Sequence, residues 1–429
     1  MKRRPAGGPR VIPLAAALVL GGLTLWLWPV PERATPERIV LIVVDTLRRD
    51  HLSSYGGDTP TPRLDALATR GRRFENVLAS YHQTTMSMGA LFTGHTPSLD
   101  RGAAEGVIPW NGRTWCGLAR FATPGREPGC LPRAVPTLPE RMRRAGYWTI
   151  GIVTNPLLFA PAGFERGFDI WRELRDPKAK ARPGLGRRPI RRSASAARVR
   201  EAVREALAAR RNDRFFLYLH YMDVHDYLLW HQPYATMVQR VDAAIGALLD
   251  DLAEEGLLEG TAIVVTADHG ERLRERHLVH GRPGHRGNPS FEEVLRIPLI
   301  VVPDPGPPGG PLLRSTEIHG LLLHLAGAEE PPSPELACEE LYLSEMGWQT
   351  YRDDRFKSYR NRRTGEVHLV DLEADPNETL DVTARFPEVV DRHTARVESL
   401  ARSLGALHRG PEGLSEEDRR RLEALGYLE

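Results

Sequence analysis

RIVLIVVD, residues 38–45, is a short run of mostly β-branched apolar side chains closed by an acid. A continuous apolar run of this length reads as a strand buried on both faces. WTIGIVT (148–154), FFLYLHY (215–221), AIVVTA (262–267) and IPLIVV (297–302) read the same way. Helical patterns fall between them. TPRLDALATRG ends at Gly71, VPTLPERMRRAG (135–146) at Gly146 and MVQRVDAAIGALLDDLAEEG (237–256) at Gly256, the usual residue beyond a helix C-cap. An Ala/Arg/Glu pattern covers 196–211. Strands alternating with helices predict an α/β domain with a largely parallel sheet over about residues 36–330.

Beyond residue 330 the pattern changes. ELYLSEM (340–346), RFKSYRN (355–361) and EVHLVDL (366–372) read as short antiparallel strands, with helices from 386 onward. Residues 331–429 are therefore expected to form a small C-terminal α+β subdomain. Residues 172–193 are basic and rich in Pro and Gly, and read as a solvated loop. No internal repeat is evident.

Residues 1–10 carry Lys2, Arg3, Arg4 and Arg10 with no acid, and residues 11–30, VIPLAAALVLGGLTLWLWPV, carry no charge. About 20 apolar residues are what a helix needs to cross the hydrocarbon layer. The basic flank then stays inside, leaving residues 31–429 in the periplasm or otherwise outside the cytoplasm. No convincing small-x-small cleavage site follows, so an uncleaved inner-membrane signal-anchor is favoured over a cleaved signal or a buried helix. Secretion would follow if the segment were cleaved.

Net charge is +2, and the four basic residues of the flank account for more than that excess, so the body is slightly acidic. A body without a basic field excludes a dedicated nucleic-acid binder. The three cysteines (Cys116, Cys130 and Cys338) are too few for a disulfide framework and lack zinc-site spacing. In an oxidising compartment Cys116 and Cys130 could pair; the alternative is two unrelated thiols.

Two acids stand where chemistry gathers in such sheets, beyond the carboxyl ends of strands. Asp45 ends the first strand, and Asp268 with His269 ends AIVVTA within TADHGE. Hard oxygens with one imidazole nitrogen suit a divalent metal. QTTMSMGALFTG (83–94) begins with crowded hydroxyls and continues as a helix. A hydroxyl there is either a cap or a nucleophile near amides that hold an anion. His220, Asp223 and His225 end the FFLYLHY strand, and His277, His280 and His285 follow in a Gly-rich loop. These histidines could bond an anionic ester or be surface residues.

VDTLRRDHLSSYG, TPRLDALATRG, ALFTGHTP, AGYWTIGIVTN, GFERGFD, FFLYLHYMDVH, TADHGE, EEVLRIPLIV, HLVDLEADPNE and RRLEALGYLE run in this order over about residues 37–429. In these stretches the chain resembles the sulfatase family of the alkaline-phosphatase superfamily. The resemblance implies an α/β/α sandwich with a mostly parallel sheet and a smaller C-terminal subdomain. It also implies a hydrolase or transferase of sulfate or phosphate esters that uses one divalent ion (Ca²⁺, Mg²⁺, Mn²⁺ or Zn²⁺). Matched by motif, Asp45, Asp268 and His269 are metal ligands, and Thr84, counted back from Thr93-Gly94, is nucleophile and further ligand. His225 and His285 match positions that contact the ester group or leaving oxygen.

The chain departs from the family pattern in two places. Thr84-Thr85-Met86-Ser87-Met88 lacks the Cys/Ser-x-Pro-x-Arg motif, so no formylglycine is expected. Thr46 stands where a second aspartate often follows the first ligand. A threonine sulfate has no geminal hydroxyl to expel sulfate, so the chemistry favours phosphoesters. The expected partners are an anionic ester, on a glycan, lipid headgroup or small molecule, and the membrane. A catalytically idle relative that binds such an anion is the alternative.

Overall fold

The computed structural model describes residues 35–98, 107–109, 131, 135–176, 193–208, 214–281, 283–285, 290–306, 313–328, 341–345, 348–361 and 363–403. The expected membrane segment 11–30 and Cys116, Cys130 and Cys338 lie outside these residues. Among the described residues no helix is long and apolar enough to cross a membrane.

The main sheet is built from β1 (Arg38–Val44), β2 (Arg72–Arg73), β3 (Trp148–Val153), β4 (Ile170–Glu173), β5 (Phe215–Tyr221), β6 (Thr261–Thr266) and β7 (Leu299–Val302). Their order is β2-β7-β6-β1-β5-β3-β4. β6, β1, β5, β3 and β4 run parallel, and β7 is antiparallel to both β6 and β2. The expectation of a largely parallel sheet therefore holds, with a reversal at one edge.

Ile39 to Val44 and Phe215 to Tyr221 are wholly buried, as strands covered on both faces require. The covering helices form two sets, each packed within itself. One joins α1 (Pro62–Arg70), α4 (Ala196–Leu207) and α5 (Tyr234–Glu254). The other joins α2 (Thr84–Thr93), α3 (Leu138–Arg144) and α6 (Ser315–Leu325).

Local chemistry sets the helix ends. Thr137 and Glu140 form a reciprocal capping box at the start of α3, with Glu140 Oε2 accepting from Thr137 N at 2.7 Å. α2 ends at Gly94, whose φ of 71° is left-handed. At Gly71, which follows α1, a Cβ would lie 2.1 Å from Val301 O, so only glycine lets β7 approach.

The C-terminal sheet is antiparallel throughout: β8 (Leu341–Glu345), β9 (Trp348–Arg352), β10 (Phe356–Asn361) and β11 (Val367–Asp371), in sequential order. α7 (Pro387–Ser403) docks through His393, whose ring meets Tyr351 edge-on at 4.6 Å. A buried charge network ties this sheet to the one-turn helix Glu292–Leu295. Lys357 Nζ on β10 reaches Glu292 at 3.2 Å and Glu378 at 2.7 Å, and Arg352 Nε reaches Glu292 at 3.1 Å.

Parallel pairing aligns the carboxyl ends of the central strands. Val43 lies opposite His220 on one side and Thr266 on the other. Asp45, His220, Asp268 and Asn155, which follows β3, therefore reach the same sheet edge.

Candidate active site

Asp45 is fully buried, its backbone fixed by donation to Tyr221 O at 2.8 Å. Its two carboxylate oxygens have different surroundings. Oδ2 accepts from Asn155 Nδ2 at 2.6 Å, from His220 Nε2 at 3.1 Å and from Thr84 Oγ1 at 3.4 Å. Oδ1 is buried and has no hydrogen-bond partner among the described residues. Asp268 repeats the pattern. Its Oδ1 accepts from the backbone N–H of Thr46 at 3.1 Å and of His269 at 2.9 Å, while its Oδ2 is buried and bare.

His269 supplies the third donor. Its Nδ1–H donates to Gly270 O at 2.9 Å, because a carbonyl can only accept. In the neutral ring Nε2 then holds a lone pair, 3.3 Å from Thr84 Oγ1 and 3.5 Å from Asp268 Oδ2. A cation between lone pairs relieves their repulsion. One ligand atom from each of Asp45, Asp268 and His269 lies within 4.8 Å of the others. A buried polar atom left unpaired costs about 1–3 kcal/mol, more if charged. Two buried acids, each with one oxygen lacking a partner among the described residues, beside one imidazole nitrogen therefore fit a divalent ion. Hard oxygens with one nitrogen leave Ca²⁺, Mg²⁺, Mn²⁺ and Zn²⁺ all open.

The charges respond accordingly. Burial opposes ionisation of Asp45, but the His220 bond and the fields of His225, His220 and His269 hold its carboxyl well below the usual range. Asp268 shifts upward, by burial and then by the charge of Asp45. The two acids thus compete for negative charge when no ion compensates them.

Thr84 occupies the first position of α2, after Gln83 as N-cap. Its hydroxyl faces Asp45 and His269 instead of capping the helix. Of the other candidate hydroxyls, Ser87 Oγ is committed to Asp268 O at 2.6 Å. His225 and His285 approach this centre: His285 lies 4.4 Å from the His269 ring and 5.7 Å from the His225 ring. Burial opposes charge on His225, but its 3.0 Å bond to Asp226 and the nearby acids outweigh it and raise the pKa to about 9.

Three other candidates serve elsewhere. Asp223 Oδ1 accepts from Ala196 N at 3.1 Å, at the start of α4. His277 bonds Glu293 and Asn377 O, and His280 is exposed.

Sequence reasoning missed Asn155 and the strain at Thr46. Asn155 stands two residues past β3, on the sheet edge that carries Asp45, and that placement is the signal that could have found it. Thr46 has φ 59°, rare for a β-branched residue and worth about 1–3 kcal/mol of strain. Its N–H to Asp268 and the Tyr234 hydroxyl, which donates to Thr46 O at 2.6 Å, hold it there. Thr46 Oγ1 is also buried without a hydrogen-bond partner among the described residues.

The Sulfatase family profile matches residues 37–317. The chain belongs to the sulfatase family. This sulfatase-family ester hydrolase is 28% identical to arylsulfatase A of Homo sapiens over 390 residues, 79% of this chain and 71% of that protein. Its fold is that of a protein in the alkaline phosphatase superfamily from Vibrio parahaemolyticus: TM-score 0.56, 18% identity, 86% of this chain and 88% of that one. BT4656, solved with its substrate D-glucosamine-2-N,6-O-disulfate, shares the fold at TM-score 0.60 and 17% identity, over 86% of this chain and 98% of that one. Sulfatases bind a divalent metal, and the buried Asp45–Asp268–His269 group could hold one.

Proposed function

We propose that this sulfatase relative is anchored to the membrane by residues 11–30, faces outside the cytoplasm, and cleaves or transfers an anionic ester by attack of Thr84 Oγ1. The observation that carries this reading is the convergence on Thr84 Oγ1 of Asp45 Oδ2 at 3.4 Å and His269 Nε2 at 3.3 Å, beside two bare carboxylate oxygens. Asp45, Asp268, His269 and Thr84 would hold the ion, which when bound polarises the ester oxygens. Thr84 Oγ1 has Asp45 Oδ2 as the proton acceptor within reach, since the His269 Nε2 lone pair would go to the ion. Its helix N-terminus favours the anionic group under attack. With a pKa near 9, His225 is cationic at neutral pH. Together with His285 it pairs with the anion or gives a proton to the leaving oxygen.

An unmodified threonine ester of phosphate is released by water or an acceptor alcohol, whereas a threonine sulfate lacks the geminal hydroxyl that would expel sulfate. The reading therefore favours a phosphoester on a glycan, lipid headgroup or small molecule, although BT4656 acts on a sulfated sugar. The test is turnover of paired aryl phosphodiester and aryl sulfate substrates by wild type, Thr84→Ala and Thr85→Ala, with mass spectrometry of trapped adducts. Thr84→Ala is expected to lose at least about a thousandfold in kcat, Thr85→Ala far less, and the adduct to map to Thr84. Undiminished turnover by Thr84→Ala would remove it as nucleophile, and efficient sulfate cleavage with little phosphodiester cleavage would overturn the preference.

A further inference from the structure

Asn155 is buried and contacts two members of the site, Asp45 and Thr84. Its amide cannot turn freely. Oδ1 accepts from Leu157 N at 2.8 Å as the N-cap of the short turn Pro156–Leu158. That bond fixes which end of the amide faces inward, so Nδ2 points to the sheet edge. One Nδ2 proton goes to Asp45 Oδ2 at 2.6 Å, and Thr84 Oγ1 lies 3.4 Å from the same nitrogen.

His220 supplies a second donor to the same oxygen. A carboxylate only accepts, so Nε2–H donates to Asp45 Oδ2 at 3.1 Å, and Nδ1 accepts from the Tyr218 hydroxyl at 2.8 Å. Two donors from the ends of neighbouring strands thus converge on one carboxylate oxygen, while the other has no partner among the described residues. The donor from Asn155 also engages a lone pair of Thr84 Oγ1, which turns that hydroxyl's own proton toward Asp45 Oδ2.

We propose that Asn155 is the positioning residue of this site: its amide, locked by its own cap, occupies Asp45 Oδ2, leaves Oδ1 for the ion and holds Thr84 Oγ1 beside that carboxylate. This inference rests on the ion-dependent reading above. Partners that orient metal ligands typically matter about 10- to 100-fold in metal affinity. Asn155→Ser separates the two ends of the amide. Serine caps the turn as asparagine does, yet its hydroxyl is too short to reach Asp45. Asn155→Thr provides a second variant of the same kind.

The experiment is Mn²⁺ titration calorimetry on the full chain, with the melting temperature of each metal-free protein measured alongside. The expected result is a Kd at least about tenfold weaker in a folded Asn155→Ser or Asn155→Thr variant, with metal-free melting close to wild type. Wild-type Mn²⁺ affinity in either folded variant overturns the role of Asn155 and leaves the ion site standing. Absence of Mn²⁺ binding by wild type overturns both. Weaker binding matched by a large drop in metal-free melting in both variants marks a structural role and also overturns it.

Discussion

The described residues contain two groups of acids and histidine whose ligand atoms lie within 4.8 Å of one another: Asp45–Asp268–His269 at the sheet edge, and His277–Glu293–Glu378 beside the C-terminal sheet. They differ in where positive charge comes from. In the second group His277 Nδ1–H donates to Asn377 O at 2.9 Å and Nε2–H to Glu293 at 2.7 Å, so both ring nitrogens are spent. Burial opposes that charge, but Glu293 outweighs it and the His277 pKa is raised. Glu378 accepts from Lys357 at 2.7 Å, from the Tyr359 hydroxyl at 2.6 Å and from Glu292 N at 2.9 Å. In the first group no described hydrogen bond to Asp45 or Asp268 comes from a lysine or arginine, and one oxygen of each is bare. The second group carries its own cations and closes on itself; the first could hold a divalent ion, and no described lysine or arginine bonds its acids.

The comparison implies that removing charge has opposite effects in the two places. Lys357→Met leaves Glu292 and Glu378 buried without their shared ammonium. Breaking a buried pair in this way costs about 3–5 kcal/mol, which denaturant unfolding of the full chain would register; a change within about 0.5 kcal/mol would break the contrast. Asp268→Asn keeps an oxygen for the Thr46 and His269 amides while removing a charge that burial and Asp45 disfavour. The metal-free variant is expected to gain about 1 kcal/mol and to lose stabilisation by added Mn²⁺. The sign with pH follows from the raised Asp268 pKa. The folded state holds that proton more tightly than the unfolded chain, so its contribution is full at acid pH and is lost as pH rises through the folded value. Asp268→Asn removes this slope, and a destabilised metal-free variant would contradict the assignment of unpaired charge to the first group.

Much of this site was legible in the sequence because it uses strand ends. Asp45 and Asp268-His269 close apolar runs, and parallel pairing brings such ends to one edge. Thr84 was legible as the start of a helical run of small residues. Asn155 was not, since an asparagine before proline reads as a turn former, and it is one: its cap hides its second use. Ile170–Glu173 and Trp348–Arg352 became strands without long apolar runs because neighbouring strands supply their pairing. The Lys357–Glu292 contact joins residues 65 apart and leaves no local pattern. No periodicity reports the left-handed backbone at Thr46, which long-range bonds to Asp268 and Tyr234 impose.

Oxygens without a partner, rather than acidic residues in proximity, distinguish the proposed ion site. Elemental analysis of bound divalent metal in wild type, Asp268→Ala and Glu293→Gln, purified and loaded identically, tests it most directly. One ion per chain is expected in wild type, the same in Glu293→Gln, and none in Asp268→Ala. Full occupancy in Asp268→Ala, or loss of the ion in Glu293→Gln, would contradict that distinction.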